Sequence, residues 1–176
     1  MITSAQQLIK YDEGTRSFPY QDSNNLWTVG VGHCLERDDL PANIAASIYA
    51  RMGTVASPGP VLFPQCKSLI ESADGLTDNE INDLFQIDLT ANCGFLNTYS
   101  WFISTDEVRQ AALMDMAFNL GPYGFHKFTT FLEYCAEHDW QQAAEDLRMN
   151  TLVYKQLPVR YGRLVQMLES GAWPQV

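Results

Sequence analysis

The 176-residue sequence lacks the features that define several large classes of protein. No apolar run approaches the roughly 18 residues of a membrane-spanning helix, and residues 1–10 lack the charged and apolar regions of a secretory signal peptide. Basic residues are scarce, with eleven Lys and Arg against twenty-one Asp and Glu and a net charge of −10. Because nucleic-acid binding depends on basic side chains that neutralise phosphates, we expect no nucleic-acid partner. The missing apolar segments lead us to expect no membrane insertion and no export by a signal peptide.

Metal-binding and redox motifs are also missing. The four cysteines, Cys34, Cys66, Cys93 and Cys135, are scattered and form no Cys-x-x-Cys pair, and the three histidines form no His-Glu-x-x-His motif. We therefore expect no metal and no cofactor. Buried free thiols are the expected state of the cysteines, and one or two disulfides are the alternative if the protein works in the periplasm.

Apolar residues, in contrast, make up 46% of the chain, enough to form the core of one globular domain. The first ten residues or so predict an amphipathic helix over residues 4–13 that ends before Gly14. The segments Ser17–Asp22 and Leu26–Gly32 are short and rich in aromatic and β-branched residues. Together they predict a β-hairpin with a three-residue turn.

The second half of the chain has a helical pattern. Thr77 and Glu80 have the spacing of a capping box and predict the start of a long helix, and Thr105 predicts the start of another that Gly121 ends. Further helices are predicted over residues 128–138, 140–149 and 159–169. Between the hairpin and residue 77 the pattern is weak, with a helix expected around Pro41–Met52 and a loop at Ser57–Pro60.

These elements predict an α+β fold in a single domain. A small N-terminal α/β lobe with the hairpin would occupy about residues 14–76, and a connecting helix about residues 77–96. A helical C-terminal lobe would occupy about residues 97–176, with the helix of residues 4–13 packed on it.

Three polar residues of the N-terminal part could carry chemistry. Glu13 ends the first helix, Asp22 ends the first strand and Thr28 lies in the second, so that helix and hairpin could converge them on one cleft. Hydrolysis of a glycosidic bond needs a carboxyl group that protonates the leaving oxygen and a second polar site that positions water. On these residues alone, two ordinary surface acids are the alternative, because acids at helix ends and turns are common.

The sequence around these residues resembles the phage-type lysozymes, glycoside hydrolase family 24. The segments that carry the resemblance are Tyr11–Gly14, Tyr20–Asp22 and Trp27–His33, together with residues 106–112, 118–121, 128–129 and 171–173. The spacing matches that of the family's catalytic residues, with eight residues between Glu13 and Asp22 and five between Asp22 and Thr28. The resemblance covers most of the chain except roughly residues 35–75.

The resemblance implies a lysozyme-like fold and hydrolysis of the β-1,4 bond between N-acetylmuramic acid and N-acetylglucosamine in peptidoglycan strands. Glu13 would be the general acid, and Asp22 and Thr28 would orient water for a reaction with inversion. The residues expected to bind the saccharide are Gly32, Asn119 and Thr129. For Gly32, a β-bulge or tight packing is the alternative role.

Five further residues are expected to support the site. By analogy with the family, His33 pairs with Asp88 and has a structural rather than a catalytic role. Arg160 and Arg163, one helical turn apart, align with arginines that approach the catalytic Glu and the Asp before it. They would tie Asp12 and Glu13 to the helical lobe, and a solvated helix face is their alternative role.

Departures from the family pattern leave the biological setting open. The connection between His33 and Thr77 is longer than in compact phage enzymes, Val153 replaces an aromatic residue, and the acidic balance is unusual for a wall-binding enzyme. A catalytically degenerate fold that binds peptidoglycan or a protein is the alternative to an enzyme. We expect a monomer, made in the bacterial cytoplasm and delivered to the periplasm through a holin, as a phage endolysin, or by a secretion system. A secreted effector would have an immunity or inhibitor protein as a partner.

Overall fold

A computed structural model of the protein describes residues 1–56, 59–149 and 151–175. In these residues, a small sheet near the N-terminus is followed by a long series of helices, and the predicted α+β fold class is confirmed. The elements in chain order are α1 (Ala5–Glu13), β1 (Arg16–Gln21), β2 (Trp27–Gly30), β3 (His33–Cys34), α2 (Ala42–Arg51), α3 (Gln65–Ser72), α4 (Asp78–Cys93), a 3₁₀ turn (Gly94–Thr98), α5 (Ser100–Ile103), α6 (Glu107–Phe125), α7 (Thr129–Ala136), α8 (Trp140–Met149), α9 (Thr151–Gln156) and α10 (Pro158–Ser170).

The chain divides into two compact units. The sheet unit is Glu13–Leu89 and contains β1 to β3, α2 and α3. The helical unit combines Met1–Asp12 with the chain from Thr90 onward and contains most of α1 and all of α5 to α10. The boundary between the units falls within α4.

The sheet is antiparallel, in the order β1-β2-β3. Tyr20 of β1 lies opposite Thr28 of β2, and Val29 of β2 lies opposite His33 of β3. The prediction of a two-stranded hairpin was wrong at its end, because β2 stops at Gly30 and the chain turns back into a third strand. Gly30 and Gly32 permit this reversal with φ of +66° and +84°, a region that side chains with a Cβ rarely adopt.

The weakly patterned segment before residue 77 contains α2, which was predicted, and α3, which was not. An isolated antiparallel bridge pairs Leu40 with Val61. The Arg51 side chain donates to the carbonyl oxygens of Ala73 and Gly75 and to the Glu80 carboxylate, so the end of α2 is bound to the start of α4. Of the predicted loop at residues 57–60, residues 57 and 58 lie outside the described part of the chain.

The capping box predicted at Thr77 is confirmed. Glu80 Oε2 accepts from the Thr77 backbone N–H at 2.8 Å, and the Glu80 N–H donates to Thr77 Oγ1 at 3.3 Å. Burial alone would raise the pKa of Glu80, but donors from Thr77, Ser47 and Arg51 together hold it below its ordinary value. The buried carboxylate therefore stays ionised and keeps the start of α4 in place.

The helical unit agrees with the sequence prediction except at several helix ends and in two short helices. Asp106, not Thr105, caps α6, since its side chain accepts from the Arg109 N–H at 3.0 Å. Gly121 has non-helical φ and ψ of 66° and 168°, and the helix resumes after it up to Phe125, so α6 is kinked where the sequence predicted its end. Neither α5 nor α9 was predicted.

The cysteines lie in the described part of the chain and are free thiols. Cys66, Cys93 and Cys135 are buried, and Cys34 is half-buried. Burial raises the pKa of Cys93 to about 12, which leaves its thiol protonated and unreactive at neutral pH. Separately, none of the described helices has the length and apolar character needed to cross a membrane.

Candidate active site

Glu13 and Gly32 lie together in the sheet unit. Glu13 is the last residue of α1, and a Cβ placed on Gly32 would lie 3.6 Å from its Oε2 atom. The carboxyl group of Glu13 therefore rests against the backbone between β2 and β3. Any larger residue at position 32 would have to adopt a left-handed conformation and would narrow the space beside this carboxyl group.

Asp22 lies in the turn between β1 and β2 and not, as predicted, at the end of a strand. Its Oδ1 atom accepts from the backbone N–H groups of Asn24 at 2.8 Å and Leu26 at 2.9 Å. The hydrogen bond from Leu26 is the main cause that lowers the pKa of Asp22 below its ordinary value. At neutral pH Asp22 is thus an ionised carboxylate with a fixed orientation.

Thr28 of β2 is buried, and its hydroxyl donates to the carbonyl oxygen of Leu26 at 3.2 Å. The same carbonyl accepts from the Asp22 backbone N–H at 2.9 Å. The backbone of Leu26 thus binds both Asp22 and Thr28, and this one residue sets the position of the two side chains. Because the Thr28 proton is used in that bond, its oxygen lone pairs remain to accept from a ligand.

Tyr20 belongs to this group of residues, although no role was predicted for it from the sequence. It lies directly opposite Thr28 in the sheet. Burial raises the pKa of Tyr20, and the negative charges of Glu13 and Asp22 raise it further. The phenol is therefore within electrostatic range of both carboxyl groups. Its place two residues before Asp22 is the signal that could have identified it.

His33 and Asp88 are brought together as a pair in the sheet unit. His33 Nδ1 lies 2.9 Å from Asp88 Oδ1 and 3.2 Å from Oδ2. The imidazole is buried, and the contact joins β3 to α4. A buried ring that is held by a carboxylate fits a structural function, and that role of His33 stays a prediction.

Two arginines of α10 bind acidic residues of the helical unit. Arg163 forms a buried ion pair with Asp12, and its Cζ lies 4.9 Å from the centre of the Tyr11 ring. Arg160 pairs with Asp115, a buried residue of α6 that the sequence analysis missed. The spacing of Asp115 from the apolar Ala111 and Ala112 could have shown that this acid faces the core. The approach of Arg160 to Glu13 stays a prediction.

The two remaining candidates, Asn119 and Thr129, belong to the helical unit. Asn119 Oδ1 accepts from the hydroxyl of Tyr161 at 3.1 Å, which leaves the amide nitrogen to donate to a ligand. Thr129 is the exposed first residue of α7. Their predicted saccharide-binding role stays a prediction.

The residues of the sheet unit have the composition of a glycosidase site. A carboxyl group, an ionised second carboxylate and a hydroxyl group are the groups needed for acid-assisted attack of water on a glycosidic bond. Together with the α+β fold, they define the class of lysozyme-like glycoside hydrolases.

Comparison with known proteins agrees with this class. The family model described as phage lysozyme matches residues 10–160. "Probable T4-type lysozyme 1" of Dictyostelium discoideum is 25% identical over 97% of this chain and 96% of its own length. "Probable T4-type lysozyme 2" of the same organism is 26% identical over the same shares of the two chains.

"Pre-baseplate central spike protein Gp5" of Enterobacteria phage T4 is 27% identical over 96% of this chain, which spans only 28% of that longer protein. The chain belongs to the phage lysozyme family. It is an enzyme, a glycoside hydrolase that acts on peptidoglycan, and the family predicted from its sequence motifs is confirmed.

Proposed function

We propose that the enzyme hydrolyses the β-1,4 bond between N-acetylmuramic acid and N-acetylglucosamine, with Glu13, Asp22 and Thr28 as its catalytic residues. The observation that carries this proposal is the double use of Leu26, whose N–H binds the Asp22 carboxylate while its carbonyl binds the Thr28 hydroxyl. Two water-binding groups are thereby fixed next to each other in the unit that holds Glu13.

In the proposed reaction, Glu13 donates its proton to the oxygen of the leaving sugar as the bond from that oxygen to the anomeric carbon breaks. A water molecule attacks the opposite face of the anomeric carbon. The Thr28 oxygen accepts one hydrogen bond from this water, and Asp22 accepts the proton that the water loses. The negative charge of Asp22 also stabilises the positive charge that develops on the sugar ring in the transition state. One displacement of this kind inverts the anomeric configuration.

Digestion of purified sacculi tests the assignment. Mass spectrometry of borohydride-reduced products should show muramitol at the new end of each fragment, with the mass of one added water and of two hydrogens from the reduction per bond cleaved. Proton NMR at early times should show the α-anomer, which one displacement gives from a β-linked substrate. A new end formed by glucosamine would contradict the assigned bond, and an anhydro sugar would contradict hydrolysis. An initial β-anomer would show that the reaction retains configuration through a covalent intermediate instead of inverting it.

The role of Thr28 can be tested with two variants of similar size. Thr28→Ser keeps the hydroxyl that would bind water and should retain most of the activity on sacculi. Thr28→Val keeps the branched shape but has no hydroxyl, and we expect roughly a ten- to hundredfold loss of turnover. Thermal unfolding of both variants serves as the control for structure. Equal activity of Thr28→Ser and Thr28→Val would remove Thr28 from the mechanism.

We also propose a cellular setting. The enzyme is made in the bacterial cytoplasm as a monomer and reaches periplasmic peptidoglycan through a holin or a secretion system. The net charge of −10 favours the second route, because the repulsion of anionic wall polymers suits an enzyme delivered directly to thin peptidoglycan. Such an effector requires an immunity protein in the cell that makes it. Expression with an added periplasmic signal should lyse cells while cytoplasmic expression does not, and protection by the product of an adjacent gene would separate an effector from an endolysin.

A further inference from the structure

We propose that a groove along β1 binds a carboxylate of the peptide attached to muramic acid, with Arg16 as its cationic residue. This inference rests on the proposed function and adds a subsite to it. The groove has a volume of about 380 Å³ and is lined by Thr15, Arg16, Ser17, Phe18, Pro19 and Tyr20. It lies on the edge strand of the sheet, where the Ser17 carbonyl accepts from the Leu76 N–H at 2.8 Å.

Arg16 is held in this groove by an aromatic ring instead of an acid. Its Cζ atom lies 4.9 Å from the centre of the Tyr20 ring, the geometry of a cation–π contact. Among the described residues of the sheet unit, Arg51 pairs with Glu80 and Lys67 pairs with Glu71, whereas Arg16 and Arg37 form no ion pair with a carboxylate. Of these two arginines, Arg16 is the one that lines the groove. Its side chain is exposed, so the N–H donors of the guanidinium remain available to an incoming anion.

The groove adjoins the candidate catalytic residues through Tyr20. This tyrosine lies opposite Thr28 in the sheet, and its ring centre lies 4.9 Å from Arg16 Cζ. A peptide of three extended residues on the lactyl group of a muramic acid reaches roughly 10 Å. The proposal requires that this muramic acid bind beside Tyr20, within that reach of Arg16.

The chemistry of the groove fits such a peptide. Peptidoglycan peptides carry free carboxylates, which a guanidinium can bind through two parallel hydrogen bonds. Phe18 is 47% exposed and provides an apolar wall for the methyl groups of alanine residues. In a chain with a net charge of −10, an exposed arginine without an acidic partner attracts an anionic group to the groove that it lines.

The test compares two soluble peptidoglycan substrates that differ only in charge. One keeps its peptide carboxylates, and in the other these have been converted to amides by carbodiimide coupling with ammonia. The measured quantity is the ratio of kcat/KM on the carboxylate substrate to kcat/KM on the amide substrate. For Arg16→Gln this ratio should fall about tenfold below that of the wild type at low salt, the effect of one charge-assisted contact. Arg16→Lys keeps the charge and should recover part of the ratio.

Lys155→Gln is the matched control, because it removes the same charge from an exposed position on α9 of the helical unit. Its ratio should stay close to that of the wild type, since the loss of one charge from a protein with a net charge of −10 changes the general repulsion of an anionic substrate only slightly. Equal ratios for Arg16→Gln and the wild type would overturn the carboxylate site. A drop on both substrates with an unchanged ratio would show instead that Arg16 only holds Tyr20 in place.

Failure of the subsite is distinguishable from failure of the proposed function. A wild type that cleaves neither substrate would contradict the muramidase assignment, whereas a wild type that cleaves both with Arg16-independent ratios would contradict the subsite alone. If Arg16→Gln does not fold, binding of a soluble muramyl tripeptide to Glu13→Gln gives a second measurement. Calorimetry should show weaker binding of the amidated tripeptide than of the free acid, and equal binding of the two would overturn the proposal.

Discussion

Glu13→Gln is expected to lower turnover on purified sacculi by roughly 10²- to 10⁴-fold, the contribution of a positioned general acid. The amide has the shape of the carboxyl group but has no proton to transfer to the leaving oxygen. Asp22 cannot replace it, because the hydrogen bond from Leu26 holds the pKa of Asp22 below its ordinary value and keeps the group ionised. The hydroxyl of Thr28 is too weak an acid to serve.

The measurement is the rate of release of reducing ends, with the thermal unfolding midpoint of each variant as the control for folding. Glu137→Gln, an identical change at an exposed residue after α7, should leave the rate unchanged. A folded Glu13→Gln protein with the wild-type rate would show that Glu13 is not the general acid and that the reaction takes place elsewhere. Activity that is lost together with the folded state would instead indicate a structural role of Glu13.

Local patterns in the sequence were sufficient for much of the fold. The Thr77 and Glu80 capping box was predictable because both of its hydrogen bonds connect residues three positions apart. The short strand β3 was not predictable, because it depends on positive φ angles at Gly30 and Gly32 and on pairing with β2. The short helices α3 and α5 have few turns, and neither has a side-chain cap that would mark its start.

The candidate site shows the same division. The spacing of Glu13, Asp22 and Thr28 placed them on a helix and a hairpin, but the sequence contained no sign that the backbone of Leu26 joins the last two. Contacts between distant residues were the hardest to predict. Asp115 and Arg160 are 45 positions apart, and nothing local to either residue identifies the other as its partner.

The largest expected effect on stability comes from the ion pair between Asp115 and Arg160. Arg160→Met should lower the free energy of unfolding by about 3–5 kcal/mol, the usual cost of removing one partner from a buried ion pair. Asp115 is 0% exposed and Arg160 only 7%, with Arg160 Nε 2.7 Å from Asp115 Oδ1 and a further bond from the guanidinium to the Asp115 carbonyl at 3.2 Å. Without the guanidinium, the Asp115 carboxylate loses its main counter-charge, and water does not reach it to take that place.

Arg148→Met is the matched control, because it removes an arginine whose ion pairs with Glu145 and Glu169 are solvent-exposed. Exposed pairs contribute about 0–1 kcal/mol, so this variant should unfold in urea near the wild-type midpoint. The double variant Arg160→Met with Asp115→Leu should recover part of the lost stability, since two apolar side chains leave no charge in the core. An Arg160→Met protein as stable as Arg148→Met would show that the buried pair does not stabilise the helical unit. If the double variant is no more stable than Arg160→Met alone, the loss comes from packing around the Arg160 side chain and not from its charge.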